Sequence, residues 1–397
     1  MSTDHAARDA AARAKLLRGA RAILPLLRQN AERCERERRI ADENIAMMQD
    51  AGLFRILVPS DYGGHEAGLR TYTDVVAEIS RGCGATGWVA FISDATDWLV
   101  AQYPDEVLAE VYGPSPDTRI IGLFDGANAR TTRTDGGFIL NGQWGFGSGS
   151  HHAQWVAASA PLSDRPGDEG VLLVPTSKVS IKDTWYVAGM RGTGSDTVVA
   201  TDVFVPDRHV FPWALGLTGQ NRHHGSRTYY GASFVPILAH MLIAPLLGLA
   251  QAALELTIER LNRGKRVSYT FYLDSRQAVV TQMQVAEAAT CINAAFLLMR
   301  DWADRIDAAA LASQDFDYTT RAQIRNDIGY AVRLCRNAVD LLLNAQGASS
   351  FADSNPLQRI WRDLETASRH AILNPDICQE IYGKALLGVE ERITPLV

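Results

Sequence analysis

No stretch of the sequence is both long and continuously apolar. The most apolar run, Ile237 to Leu256, is interrupted by His240, Pro245, Gln251 and Glu255. It reads as a helix packed on all sides, not a membrane span. Cysteine is scarce. Cys34, Cys83, Cys291, Cys335 and Cys378 show no CxxC spacing, which excludes a disulfide frame and points to reduced thiols in a cytoplasmic protein. Basic excess is missing too: the formal net charge is -6, so no face for nucleic acid is expected. Met1 to Lys15 has no apolar core, unlike a secretion signal. Gly192-Thr-Gly194 is not a strand-to-helix G-x-G-x-x-G, so direct NAD(P)H binding is not expected. Ser148 lies outside any G-x-S-x-G, which argues against a hydrolase. His151-His152 and His223-His224 are adjacent pairs without carboxylates at ligand spacing, so no metal site is expected. Internal repeats and low-complexity segments are absent.

What is present divides the 397 residues into three parts. Residues 1–115 read as an N-terminal helical domain. Leu16, Leu17, Ile23, Leu26 and Leu27 recur at helical spacing, and Glu32 to Arg39 form a charged, solvated face. Thr71 to Arg81 is a second amphipathic helix, and Gly82 to Trp88 is a break before a third. Residues 116–222 read as a β-domain. Its strands are expected at Ile120–Phe124, Gly137–Leu140, Trp155–Ser159, Gly170–Pro175 and Val198–Pro206, with turns at Asp135-Gly-Gly and Asn141-Gly. Residues 223–397 read as a C-terminal helical bundle: Ile237–Asn262, Ser275–Asp307, Thr319–Gly347, Leu357–Leu373 and Pro375–Leu387. Asp274-Ser275 and Asn374-Pro375 supply start signals. The class is α+β, mainly α.

Gly142 to Trp155 is the central stretch. Gly142, Gly145, Gly147 and Gly149 alternate with Trp144, Phe146 and Ser148. The period of two predicts a strand with its large side chains on one face. The glycines would leave the other face bare to a flat ligand.

Three motifs stand in order along this chain. They are Trp144-x-Phe-x-Ser-Gly149; Gly189-Met-Arg-Gly-Thr-Gly-Ser195, followed by Asp202-Val-Phe-Val-Pro206; and Gln358-Arg-Ile-Trp-Arg-Asp363 with His370. Together with the helix, β-domain, bundle order they resemble the acyl-CoA dehydrogenase fold. In detail they resemble the oxygenase components of two-component flavin monooxygenases, nearest to the 4-hydroxyphenylacetate and steroid A-ring phenol hydroxylases. Trp185-Tyr-Val and Gly264-Lys-Arg-Val267 resemble the steroid-catabolic branch. The likeness extends from about residue 10 to about residue 390.

The resemblance implies a separate NAD(P)H:flavin reductase as partner. It supplies reduced FMN or FAD as a diffusible cosubstrate, which reacts with O2 to a C4a-hydroperoxyflavin and hydroxylates a small aromatic, phenolic substrate. It also implies roles for residues. Ser148 would meet flavin N5, with Trp144, Phe146 and Gly149 as walls. Arg191, Thr193 and Ser195 would bond the polar edge, and Arg263 and Arg266, beside Lys265, the phosphate. Trp88 and Asn374 would face substrate, Asn374 replacing the relatives' aspartate. Gly147 stands where a serine is usual. His370 would take the phenolic proton. Related dehydrogenases place a glutamate near Arg369-His370-Ala371, and none stands there. N- or S-oxygenation and an acyl-CoA dehydrogenase-type reaction are the alternatives. Ala331 to Leu343, apolar nearly all round, must bury more than one face, and the resemblance implies a homotetramer.

Overall fold

A computed structural model describes residues 3–218 and 228–397. His223-His224 and the expected boundary at residue 222 lie outside them. Helix α1 (Thr3–Glu37) buries Leu16, Ala20, Ile23, Leu27, Ala31 and Cys34, an i, i+3, i+4 stripe. After α2 (Asp42–Asp50) come α3 (Leu69–Gly82), α4 (Gly84–Val100) and α5 (Asp105–Tyr112). The expected break from Gly82 to Trp88 shrinks to Cys83, whose backbone is extended (φ -153°, ψ 115°). The glycines there serve packing. A Cβ on Gly87 would lie 1.8 Å from Ser80 Oγ, and one on Gly84 would lie 2.7 Å from Leu249.

Eight strands follow: β1 (Ile120–Leu123), β2 (Ala129–Thr134), β3 (Gly137–Gly147), β4 (Trp155–Pro161), β5 (Glu169–Pro175), β6 (Ser180–Lys182), β7 (Asp196–Pro206) and β8 (Val210–Pro212). They form two four-stranded sheets, β1-β4-β5-β8 and β2-β3-β7-β6. Leu140, Trp144, Val156, Leu172, Val198 and Val205 belong to one core of this β-region. Asp135-Gly136 makes the β2–β3 hairpin, with Gly136 at φ 70°. Asn141-Gly142 is not a turn. It lies inside β3, where the register slips against β7 and Asn141 bonds Asp202 across the strands.

After α6 (Trp213–Thr218) come α7 (Phe234–Leu261), α8 (Val279–Leu311), α9 (Tyr318–Gln346), α10 (Pro356–Ala367) and α11 (Pro375–Leu386). By length and composition α7 could cross a membrane, but it is buried among α3, α8, α9 and α10. Helix α10 ends at Ala367, short of the expected Leu373, so His370 sits in a connecting turn. The apolar surplus of Ala331–Leu343 is largely absorbed within the chain: Ala331, Val332, Cys335, Ala338, Val339 and Leu342 are fully buried. That stretch therefore carries no argument for assembly.

Candidate active site

The site begins where β3 breaks register between Trp144 and Gly147. Two residues cannot keep a period of two across such a bulge. The expected shared face is therefore not formed. Trp144 turns into the β-core, and its Nε1 donates to Ser159 O at 3.0 Å, so it is no wall for a ligand. Phe146 turns outward instead. It is 77% exposed and held at φ 58°, a strained conformation for an aromatic residue and a mark of functional segments. Beside it, a Cβ on Gly145 would meet nothing within 4 Å.

Ser148 is buried at the edge of that surface. Its Oγ lies 2.7 Å from Ser195 Oγ, which lies 2.6 Å from Thr193 Oγ1, and Thr193 donates to Met190 O at 2.8 Å. The Thr193 hydroxyl donates to Met190 O, which also accepts from Trp185 Nε1. In that arrangement Ser195 donates to Thr193, and Ser148 to Ser195. The outer lone pairs of Ser148 are left as acceptors. Gly149 N donates to Thr193 O at 2.9 Å, tying the strand end to the same loop.

That loop is fixed from several sides. Met190 N donates to Asp363 Oδ1, and Met190 O accepts from Trp185 Nε1 at 2.9 Å. A Cβ on Gly189 would fall 2.0 Å from Arg362 O. Arg362 bonds Ala188 O and Glu35. Burial raises the Asp363 carboxyl to about 7, against the opposing pull of the Met190 N–H. Arg191 serves the scaffold: it reaches Glu35 O and Val187 O and takes no part in the hydroxyl chain. Asp363 and Trp185, both inside motifs, were not singled out from sequence. Asp196 also was not; its carboxylate accepts from Thr184 N, Trp185 N and the His151 ring.

The opposite wall is α4. Val89 packs under Gly149, and the Trp88 ring lies 5.1 Å from Phe91 and 6.1 Å from His370. Ile372 N donates to His370 Nδ1 at 3.3 Å. Nε2 therefore carries the proton of the neutral ring. Burial, then the nearby Arg325, lowers this histidine to about 4. Asn374 is exposed and caps α11, accepting from Asp376 N and Ile377 N. This capping replaces its expected contact with substrate. Arg263 pairs with Glu259 on the surface beyond α7, and Arg266 is exposed nearby; neither joins the hydroxyl chain. Of the residues expected at one site, Ser148, Ser195 and Thr193 join one hydroxyl chain, Gly149 is tied to it through Thr193 O, and Trp88 and His370 lie together.

Known proteins share this fold. Residues 20–115 match the acyl-CoA dehydrogenase N-terminal domain, and residues 240–375 the acyl-CoA dehydrogenase C-terminal domain. The oxygenase subunit HsaA of a flavin-dependent monooxygenase from Rhodococcus jostii is 33% identical, over 93% of this chain and 97% of its own. The oxygenase component of a FADH2-dependent resorcinol hydroxylase from Rhizobium sp. is 32% identical, over 93% of each. XiaF from Streptomyces sp., solved with FADH2 and glycerol, superposes with a TM-score of 0.92 at 31% identity, covering 100% of this chain and 99% of that one. The chain belongs to the acyl-CoA dehydrogenase family, in the branch formed by the oxygenase components of flavin-dependent monooxygenases.

Proposed function

We propose that this oxygenase component hydroxylates a small phenol, using O2 and reduced FMN or FAD delivered by a separate NAD(P)H:flavin reductase. The carrying observation is the Ser148–Ser195–Thr193 hydroxyl chain, in which Thr193 donates to Met190 O and Ser148 is left to accept. Reduced flavin presents an N–H at N5, whereas oxidised flavin presents a bare nitrogen there. Ser148, left as an acceptor, matches the reduced form. Phe146 and Gly145 would support the ring, and Arg263 and Arg266 would meet its phosphate. When bound, the flavin supplies activated oxygen. Trp88 and Phe91 exclude water from the reacting face.

His370 holds the substrate oxygen. With Nδ1 occupied by Ile372 N, the neutral ring offers Nε2–H as a donor. We therefore revise its role from proton acceptor to donor, holding the phenolic oxygen. A donor here favours a phenol over a thioether. The resorcinol and FADH2 named for relatives support this substrate class and cofactor. We further propose a cytoplasmic setting, which fits the five free cysteines. We also propose a homotetramer, because Val279, Val280, Met283 and Leu297 leave an apolar face of α8 exposed. The helical, β and bundle domains would meet near residues 116 and 222.

The test is reconstitution. With a flavin reductase, NADH, O2 and a panel of simple phenols, the chain should form catechol-type products. Without the reductase it should consume no NADH. NADH oxidation by the chain alone, or turnover of an acyl thioester in place of phenols, would overturn the reading.

A further inference from the structure

Helix α9 carries a buried arginine, Arg325, which is 3% exposed. Among the described residues no carboxylate pairs with it, and its guanidinium donates to two backbone carbonyls instead. Nη2 donates to Ile372 O at 3.1 Å, and Nη1 donates to Leu396 O. A buried charge without a counter-charge is costly. This one joins two places that are otherwise separate: the turn that carries His370 and the segment Thr394–Val397.

Ile372 is the residue that fixes His370. Its N–H donates to His370 Nδ1 at 3.3 Å, and Leu373 N closes the turn on His370 O at 2.8 Å. The carbonyl of the same residue takes Arg325 and, at 3.3 Å, the Cys378 thiol. Both lone pairs of that oxygen are thus used. A swing of the Ile372 backbone would break the contact with Arg325 and the bond to His370 together. At the other end, Val397 packs with Ala322 and Ile381 in a small core of its own. Ala322 lies three residues before Arg325, on the same face of α9. Leu396 N donates to Thr394 Oγ1 and Val397 N to Pro395 O, each at 3.1 Å. The segment is thereby curled, with Leu396 O presented to the guanidinium.

We propose that Thr394–Val397 is a clip which, through Arg325, holds the His370 turn in position. Arg325 is a positioning residue, acting on the imidazole through Ile372. The planar guanidinium suits the task, because one side chain must reach two carbonyls at once. Without Leu396 O, N–H donors of Arg325 are left unpaired in a buried place, and the side chain turns toward other acceptors or water. Ile372 O then loses its anchor, Ile372 N loosens from Nδ1, and the ring no longer aims Nε2 at one point. The consequence for the turn stands on these contacts alone; the consequence for substrate rests on the proposed function.

The experiment compares the full chain with one ended after Pro395, with Arg325→Lys and with Val397→Ala. Hydrogen exchange of flavin-free protein is followed by mass spectrometry, with fragmentation to resolve single amides. In the shortened chain the Ile372 and Leu373 amides should exchange roughly tenfold faster, while amides in the middle of α7 and α9 keep their rates. Arg325→Lys keeps the charge but loses the fork, and should loosen the same two amides. Val397→Ala trims the packing and keeps Leu396 O, so the turn should stay protected. With reductase, NADH and O2, the shortened chain should show a KM for phenol raised roughly 2- to 13-fold, the worth of one neutral hydrogen bond, and an unchanged Kd for reduced flavin. Unchanged exchange at Ile372 and Leu373 overturns the clip. Faster exchange shared by all of α9 and α11, or equal loosening in Val397→Ala, reduces the segment to packing and also overturns it. A loosened turn with an unchanged KM overturns its bearing on substrate. If the full chain hydroxylates no phenol, the proposed function fails, and the exchange result still decides the clip.

Discussion

Thr193→Val reverses the hydrogen-bond chain without removing Ser148. Valine keeps the shape of threonine but neither donates nor accepts. Met190 O is not orphaned, because Trp185 Nε1 still donates to it at 2.9 Å. The fold should therefore survive. Ser195 loses its acceptor and turns its proton to Ser148 Oγ, 2.7 Å away. Ser148 then has its own proton free and becomes a donor toward the ring. That suits the bare N5 of oxidised flavin and opposes the N–H of the reduced form. One neutral hydrogen bond is worth about 0.5–1.5 kcal/mol. Preference for reduced over oxidised flavin should fall by a factor of roughly 2 to 13. Anaerobic titration of reduced flavin and aerobic titration of oxidised flavin give the two Kd values. Thr193→Ser keeps the proton on Met190 and should behave as wild type. An unchanged ratio in Thr193→Val would refute the directional chain. Equal loss of both affinities would mean damage to the loop.

Other consequences are as direct. His370 is lowered to about 4, first by burial and then by Arg325, so its ring is neutral in the fold wherever pH exceeds that value. Its folded-state value lies below the ordinary 6.5, so its stabilising contribution is complete above pH 6.5 and lost as pH falls through about 4. Hydroxylation rates between pH 5 and 8 should thus show no histidine titration; a fall centred near 6.5, the value for an unperturbed ring, would return His370 to the role of proton acceptor. Phe146→Gly should raise the melting temperature, since a non-glycine residue at φ 58° costs about 1–2 kcal/mol, while weakening flavin binding; unchanged flavin affinity would remove Phe146 from the site. Met283→Glu with Leu297→Glu, both on the exposed face of α8, should split the assembly into smaller species by light scattering, whereas an intact tetramer would put its interface elsewhere.

Much of this was legible in the sequence because periodicity reports burial. The α1 stripe, the α7 run and the Asn374 cap formed structure where expected, whereas Asp274 caps only the short turn Ser275–Gln277 and α8 begins at Val279. What failed shares a cause. Strands β2, β6 and β8 are short or exposed and carry weak apolar alternation. Trp144 was misplaced because one bulge reverses the faces of every residue beyond it, and only the glycine density hinted at it. Arg191 looked like a ligand group because charge in a glycine loop suggests one, yet α1 lies close enough to take it. The glycines of Gly82–Trp88 looked like a turn, and close helix packing explains them instead.

The same contacts separate the oxygenase from the dehydrogenases that share its fold. Removing an α-proton beside a flavin calls for a free carboxylate on the α10–α11 connection. The connection itself carries none, and the carboxylates flanking it in α10 and α11 have other partners. Asp363 takes the Met190 N–H and fixes the loop. Glu365 is held between Arg336, 3.0 Å away, and Arg369. Asp376 pairs with Arg333. The side chain that meets Trp88 is His370, with Nδ1 tied to the backbone and its basicity depressed by burial. A neutral N–H donor cannot take a proton from carbon, but it can hold a phenolic oxygen. The chain thus keeps the scaffold that orients a flavin while offering the substrate a hydrogen-bond donor in place of a base, and oxygen transfer is the chemistry such a donor can assist.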